Sequence, residues 1–233
     1  FPADGADIAW RTEQARLRTN AQGAVLISLG ADDARGALAA ALGLTLAGDR
    51  ATCFLSSLDV DACLDLLRTA VARRLPLVLH LAGRSAGGPG AALGNGQEAM
   101  HAAAGTGVLV LAAATVQEAV DLTLIARRVA EQLLLPAVVV IDGPQTALAL
   151  QDVRLPPGRL LRDLLGAPDD LIPVALEAQR HLFGDHRRRV PRWHDADHPV
   201  LLDALYPADT AGAARAAARA YLDADPSALC DEA

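Results

Sequence analysis

The sequence predicts an α/β fold in which a mostly parallel sheet is flanked by helices. Three short runs are apolar at nearly every position, and helix-patterned segments separate them. The runs are Leu77–Leu81, Val108–Ala112 and Ala137–Ile141. Strands that are apolar throughout, rather than at alternate positions, are typical of parallel sheets covered on both faces. Small or polar residues follow each run, at the carboxyl ends of the strands, where ligands of such sheets bind.

Two earlier runs extend this alternation toward the N-terminus. Ala24–Ser28 and Ala51–Leu55 have the pattern of buried strands, and the segment between them, Asp33–Ala47, is rich in Ala and Leu as in a packed helix. Gly48 follows that helix at the position where a left-handed cap is favoured. The spacing fits right-handed crossover connections between parallel strands.

Two further helices are marked by their first residues. Ser57 is a candidate cap for a helix over Asp59–Arg73, because its hydroxyl can accept a hydrogen bond from a free backbone N–H group. Thr115-Val116-Gln117-Glu118 is a capping box, in which the Thr hydroxyl and the Glu carboxylate each bind such a group. We expect the helix that it starts to end near Leu134.

The loop Gly83–Gly96 holds six glycines and precedes a short predicted helix over Gln97–Ala104. Backbone N–H groups in this setting can bind an anion, but neither the dinucleotide spacing of glycines nor a Gly-Lys-Ser/Thr sequence is present. Arg84 is equipped to bind a carboxylate through two hydrogen bonds, with an ion pair to Glu98 as the structural alternative. Ser85 fits the G-x-S-x-G pattern, but the helix that a nucleophile elbow needs does not follow it directly.

The pattern changes in the last third of the chain. Pro156-Pro157-Gly158 interrupts it, and charged, proline-bearing connectors join the remaining candidate helices. These helices are Leu160–Leu165, Leu171–Leu182 and Thr210–Leu222. We therefore expect residues 1–153 to form the α/β domain and residues 154–233 to form a helical extension packed on it.

Composition limits the function classes. The formal net charge of -7 gives no general attraction to nucleic acid or to anionic membranes. All 21 basic residues are arginines, which excludes a lysine Schiff base within this chain. Cys53, Cys63 and Cys230 have no ligand spacing, so we expect no metal site. No apolar run approaches the ~20 residues that span a bilayer, and we expect a cytoplasmic protein.

From about Ala31 to Gln151 the sequence resembles the N-terminal, pyrimidine-binding-type domain of pyruvate:ferredoxin (flavodoxin) oxidoreductases. VQE-x-x-D-L after a buried strand is a fairly specific part of the match. The matching strings occur in the family's order: GALAAALGLTLAGDRATCFLSS (36–57), LVLHLAGRS (77–85), TG (106–107), TVQEAVDLTLIA (115–126) and VIDG (140–143). The resemblance implies that thiamine diphosphate is held between this type of domain and a second one.

The resemblance also implies site residues. In this family a glutamate of the domain activates the pyrimidine ring, and the matching position is Ala34, which cannot exchange a proton; Asp33 is adjacent but out of register. Arg84 matches an arginine that binds the carboxylate of a 2-oxoacid, and Ser85 follows it as in the family's Ala-Arg-Ser motif. The implied substrate-binding residues are therefore Arg84 and Ser85, with no catalytic residue and no metal ligand assigned.

By resemblance, the chain is a domain or subunit of a 2-oxoacid:ferredoxin oxidoreductase-like redox enzyme with a degenerate thiamine site. Other domains or subunits of an electron-transfer complex are the implied partners, and a homo-oligomer is a further option. The chain alone is expected to be inactive and to bind no cofactor; thiamine diphosphate and magnesium would need a partner domain, because a GDG motif with a downstream asparagine is missing.

Two other interpretations stay open. One is a non-catalytic structural or docking domain of a larger flavoprotein, such as a sulfite-reductase-like oxidoreductase. The other is a domain that binds a small ligand or an anion through the loop Gly83–Gly96. Thiamine diphosphate binding separates the catalytic interpretation from the docking one.

Overall fold

A computed structural model describes residues 2–3, 24–27, 34–83, 97–142, 146, 150–193 and a few positions between 212 and 220. The strands are β1 (Pro2–Ala3), β2 (Ala24–Ile27), β3 (Arg50–Ser56), β4 (Val78–Ala82), β5 (Leu109–Ala113), β6 (Ala137–Ile141), β7 (Gln151–Asp152), β8 (Leu171–Pro173) and β9 (His186–Arg188). β2 to β6 form one parallel sheet in the order β2-β3-β4-β6-β5. The predicted fold class is confirmed.

Helices cover both faces of this sheet. They are α1 (Ala34–Leu46), α2 (Leu64–Ala72), α3 (Gln97–Ala104), α4 (Val116–Leu133), α5 (Gly158–Leu165) and α6 (Glu177–Phe183). The side chains of α1, α2 and α3 pack on a first face with Leu79 and Val138 of the sheet. Val78 and Val139 point to the second face, where they pack against Ala126 and Ala130 of α4. Alternate residues of β4 and β6 are therefore buried in different layers.

The strand order creates a crevice at the carboxyl ends of β4 and β6. The chain fills neighbouring positions with β2, β3 and β4, then passes over one position to β5 and returns to β6. After β4 the chain leads to α3 on the first face, whereas after β6 it leads to Val153, which packs with Val116 on the second face. Gly83 N donates to Ile141 O across the two strand ends at 2.7 Å. Exits that diverge in this way mark the ligand position in open α/β sheets.

Local capping agrees with the sequence in two places and differs in one. Gly48 has φ of +88°, as the predicted left-handed cap requires. Thr115 Oγ1 accepts from Glu118 N at 3.1 Å, and Glu118 Oε2 accepts from Ala114 N at 2.8 Å. At the other predicted cap it is Ser56, not Ser57, whose side chain accepts from Leu58 N, because a 3-10 turn over Ser57–Asp59 precedes α2.

The predicted helix over Leu171–Leu182 is wrong in its first part. Leu171–Pro173 is strand β8, which pairs antiparallel with β9, and only Glu177–Phe183 is helical. Pro173 accounts for the difference, because a proline disfavours helical backbone at the residue before it. The sequence pattern does not signal β9, whose three residues are His186, Arg187 and Arg188.

A buried ion pair lies at the amino-terminal edge of the sheet. Arg50, the first residue of β3, binds Glu131 of α4 through two hydrogen bonds of 2.7 and 2.8 Å, and both side chains are fully buried. Arg50 also donates to Leu165 O and Gly166 O at the end of α5. Two parallel hydrogen bonds between an arginine and a carboxylate hold the two side chains in one orientation as well as pairing their charges. Arg50 therefore joins three separate elements.

Arg187 of β9 makes a second connection to α4. Its guanidinium donates to the backbone oxygens of Glu131 and Gln132 and to Gln179 Oε1, the last at 2.8 Å. Nearby, Trp193 is 1% exposed and its backbone N–H donates to Leu46 O at 3.0 Å. Residues 154–193 thus contact the sheet domain through buried polar groups, while the domain boundary at residue 153 stays a prediction. No helix among the described residues is long and apolar enough to cross a membrane.

Candidate functional site

The carboxyl-terminal edge of the sheet carries an open cavity of about 230 Å³ between the ends of β5 and β6 and the start of α3. Since Val140 belongs to the first-face core, the cavity opens on the α3 side of the sheet. Its lining residues are Gln97, Met100, Ala112, Ala113, Ala114, Val140 and Asp142. The cavity adjoins the crevice between β4 and β6, where the strand order predicts a ligand.

Asp142 supplies the carboxylate of this cavity. It follows directly after β6, and the residue as a whole is half-buried. Its Oδ1 atom is inaccessible to solvent and accepts no hydrogen bond. Buried polar atoms in folded proteins almost always have a partner, so this unpartnered oxygen is an exception at the edge where the cavity lies.

The first turn of α1 contains no acidic side chain. Ala34 is its first residue and packs, partly buried, against the first-face core. The next residue, Arg35, binds both carboxylate oxygens of Asp65 and also donates to Ala62 O. This hydrogen bond with Arg35 lowers the pKa of Asp65 to about 2. Arg35, the charged residue that follows Ala34, is thus engaged on the outer surface, at α2.

The two predicted substrate-binding residues, Arg84 and Ser85, lie outside the described residues. Gly83, immediately before them, is described and lies at the crevice between β4 and β6. Their roles stay predictions. Within the described ranges, no three His, Cys, Asp or Glu side chains converge as metal ligands.

Two cysteines are buried among the first-face residues. Burial, and secondarily the neighbouring Cys63, raises the pKa of the Cys53 thiol to about 12. A thiol with such a pKa remains protonated at neutral pH and is a poor nucleophile. Cys53 is therefore a packing residue of β3 rather than a catalytic one.

Sequence reasoning pointed to the edge at which the cavity lies but did not assign the cavity residues. Asp142 carried a signal, because a carboxylate directly after a buried strand lies at the ligand-binding edge. Gln97 and Met100 are spaced three residues apart and share one face of α3. Nothing in the sequence indicates that this face meets the end of β6, since β6 follows α3 by more than thirty positions and enters the sheet beside β4.

Comparison with known protein families identifies the family of this chain. Residues 15–189 match the family described as pyruvate flavodoxin/ferredoxin oxidoreductase, thiamine diphosphate-binding. The chain belongs to this family. The match covers the parallel sheet together with α5, α6 and both strands of the β8–β9 pair.

One relative by sequence is a protein of Synechocystis sp. that carries the provisional name pyruvate-flavodoxin oxidoreductase. It is 29% identical over 163 residues, which are 70% of this chain and 13% of that protein. The chain thus spans about one eighth of the relative's length, and the family assignment concerns a domain.

A solved structure has the same fold. It is 2-oxoglutarate:ferredoxin oxidoreductase from Magnetococcus marinus, solved with 2-oxoglutarate, coenzyme A and succinyl-CoA bound. The TM-score is 0.54 at 16% sequence identity, over 68% of this chain and 32% of that one. At this identity the likeness supports the fold alone.

Proposed function

We propose that this chain is the pyrimidine-domain-type module of a larger 2-oxoacid oxidoreductase-like protein and has lost the acid that thiamine chemistry requires. In that protein it provides a folded body for its partner domains rather than the proton-transfer group. Family membership over residues 15–189 supports the first part of the proposal. The second part depends on the first turn of α1.

The observation that carries the proposal is the absence of a carboxylate at the start of α1. Thiamine diphosphate contributes a carbanion-forming thiazolium carbon, and its aminopyrimidine must exchange a proton with a carboxyl group for that carbon to react. Ala34, at the matching position, ends in a methyl group, and no acidic residue lies in that turn. The described donor set therefore does not fit activation of the pyrimidine ring.

Among the described residues, no neighbour of Ala34 replaces the missing acid; Asp33, which precedes it, lies outside them. Arg35 is a cation and is bound to Asp65, and both side chains face solvent. Asp142, the carboxylate of the cavity, follows β6, whereas α1 packs mainly on β3 at the other side of β4. A carboxylate that follows a different strand cannot take the role of one held by α1, because proton transfer needs hydrogen-bond distance between the acid and the pyrimidine ring.

The test measures deuterium exchange at C2 of thiamine diphosphate, with magnesium present, on the full-length protein and its partner domains. We expect exchange at the rate of free cofactor. Ala34→Glu should accelerate it by about 100-fold or more, the usual contribution of a positioned acid or base. Exchange far above the free-cofactor rate in the unmodified protein would overturn the proposal.

Ala39→Glu is the matched control. It introduces the same side chain into the same helix at an exposed position, more than one turn from Ala34. We expect it to leave the exchange rate unchanged. If both variants accelerated exchange equally, added negative charge rather than position would be responsible, and Ala34 would not occupy the acid's place.

A further inference from the structure

Strand β5 lies at one edge of the sheet and is only half covered. Its neighbour β6 is central, and every residue of β6 is buried. In β5, by contrast, Leu109, Val110 and Leu111 are partly buried and Ala112 is exposed. In the part of the chain that the structure describes, no strand other than β6 pairs with β5. Apolar side chains and a row of backbone groups therefore remain at this edge.

This edge lacks the features that normally keep an edge strand from pairing with another chain. Natural edge strands usually carry charges, a proline or a bulge. Residues 102–117, which contain β5, include no charged residue and no proline. The pairing with β6 runs without interruption from Leu109↔Ala137 to Ala113↔Ile141, so no bulge turns the edge away. A strand of this kind is predicted to pair with a further β-strand.

The backbone groups on the open side belong to Val110 and Ala112. Leu109 N donates to Pro136 O at 3.0 Å, so the backbone N–H group of Leu109 points toward β6. Because backbone groups alternate in direction along a strand, those of Leu111 also point toward β6, and those of Val110 and Ala112 point away from it. Val110 and Ala112 each present a donor and an acceptor on the open side.

The sequence of β5 is complementary to itself when two copies pair antiparallel about Leu111. A two-fold axis there places the two Leu111 residues opposite each other. It places Val110 opposite Ala112, and these residues then exchange hydrogen bonds through their outward N–H and C=O groups. It also places Leu109 opposite Ala113, so that a large side chain faces a small one on each side of the axis.

Helix α4 fits the same arrangement. It packs on both β5 and β6, so it lies close to the edge. Pairing of the two β5 strands would place the two α4 helices about 10 Å apart, which is roughly twice the strand spacing and close to the distance at which helices pack. Leu122 of α4 packs against the same cluster as Leu109 and Leu111, and Ile125, three residues later, is 43% exposed. Apolar contacts between the helices would therefore accompany the strand pairing.

We propose that the open edge of β5 is the docking surface for a second copy of this chain, with the two β5 strands antiparallel in one continuous sheet. An identical edge fits because residues 102–117 carry no charge that would repel a copy. A partner recognised through charge would find no charged group to bind in this segment. The proposal goes beyond the proposed function, which concerns Ala34 on α1.

Disulfide formation between chains tests this register. In a Cys230→Ala background, Leu111→Cys should form a covalent dimer when oxidised glutathione is added, because paired residues at this kind of position are about 4.5 Å apart between Cα atoms. Two thiols form one disulfide as oxidised glutathione is reduced to two glutathione molecules. Cys53 and Cys63 are buried, so they should not contribute.

Leu109→Cys is the matched control, because Leu109 lies on the same strand and the same face. Its two copies would be about 14 Å apart, too far for a disulfide. This variant should not crosslink with itself but should crosslink when mixed with Ala113→Cys. Equal self-crosslinking of Leu109→Cys and Leu111→Cys, or none of Leu111→Cys, would overturn the proposal. The second result is expected if a segment of the same chain or a partner domain covers the edge.

Sedimentation of charged variants of the full chain is a second test. The unmodified chain should sediment as a dimer at micromolar concentration. Leu111→Lys and Leu111→Glu should each be monomeric, because like charges would face each other, and an equimolar mixture of the two should form dimers. A monomeric unmodified chain, a dimer of either variant alone, or a mixture that stays monomeric would contradict pairing about Leu111. Because the oligomeric state and C2 exchange are measured separately, either proposal can fail without the other.

Discussion

At the amino-terminal edge of the sheet, Arg50 and Glu131 are fully buried and pair with each other, whereas at the carboxyl-terminal edge Asp142 keeps a buried oxygen without a donor. Arg50 and Glu131 are removed from water entirely, whereas Asp142 is half-buried and only its Oδ1 is inaccessible. The first pair is surrounded by helix-end carbonyl oxygens that satisfy its remaining donors. Asp142 is one of the lining residues of a cavity.

Helix α4 connects the two edges, because it runs antiparallel to the strands. Thr115 and Glu118 begin it at the cavity edge, and Glu131 lies near its end at the buried ion pair. At the end of α4 the charged side chains pair with each other, whereas near its beginning the capping box is satisfied and the Oδ1 atom of Asp142 has no partner. In open parallel sheets the carboxyl-terminal edge is the one where ligands bind.

The largest expected effect is at the amino-terminal edge. Glu131→Ala leaves the Arg50 guanidinium buried without its counter-charge, and breaking a buried pair in this way costs about 3–5 kcal/mol. Urea unfolding followed by tryptophan fluorescence would measure the loss. Glu131→Gln, which keeps an acceptor oxygen, should lose less. A loss below about 1 kcal/mol for Glu131→Ala would mean that the pair does not stabilise the fold.

A moderate effect is expected at the other end of α4. Thr115→Ala removes the hydroxyl that accepts from Glu118 N, and loss of such a cap costs about 1 kcal/mol of unfolding free energy. The same urea titration would measure it. Thr115→Ser keeps the hydroxyl and should restore most of the stability. If Thr115→Ala matched Glu131→Ala, the contrast between the two edges would be absent.

The smallest effect is expected on the outer surface, where Arg35 and Asp65 pair in solvent. The folded-state pKa of Asp65, about 2, is below its ordinary value of 3.8. Its contribution to stability is therefore present above pH 3.8 and is lost as the pH falls toward 2. Asp65→Asn should lessen the acid-induced loss of stability in that window, as thermal unfolding across the pH range would measure.

Asp61→Asn is the control for this pH effect. Asp61 is exposed in the 3-10 turn just before α2, and no ion pair to Asp61 is seen among the described residues. An identical pH profile for the two variants would show that the ion pair with Arg35 does not cause the dependence.

The sequence by itself determined the sheet. Each of its five strands was predicted within one residue of its position at either end, because continuous apolar runs have few alternatives to a strand covered on both faces. The capping box of α4 and the glycine cap of α1 were also predictable, since both depend on residues close in the chain. The family resemblance rested on the same local strings and is confirmed.

Only the tertiary structure decided which distant residues meet. Arg50 and Glu131 are 81 positions apart, and either would be assigned to a solvated surface from its own neighbours. The cavity likewise exists because β6 enters between β4 and β5, which brings Asp142 beside α3. The local pattern determines which residues form strands or helices, but the order of the strands depends on the packing of all the layers together. The strand order in turn determines which charged residues meet in a buried pair and which line a cavity.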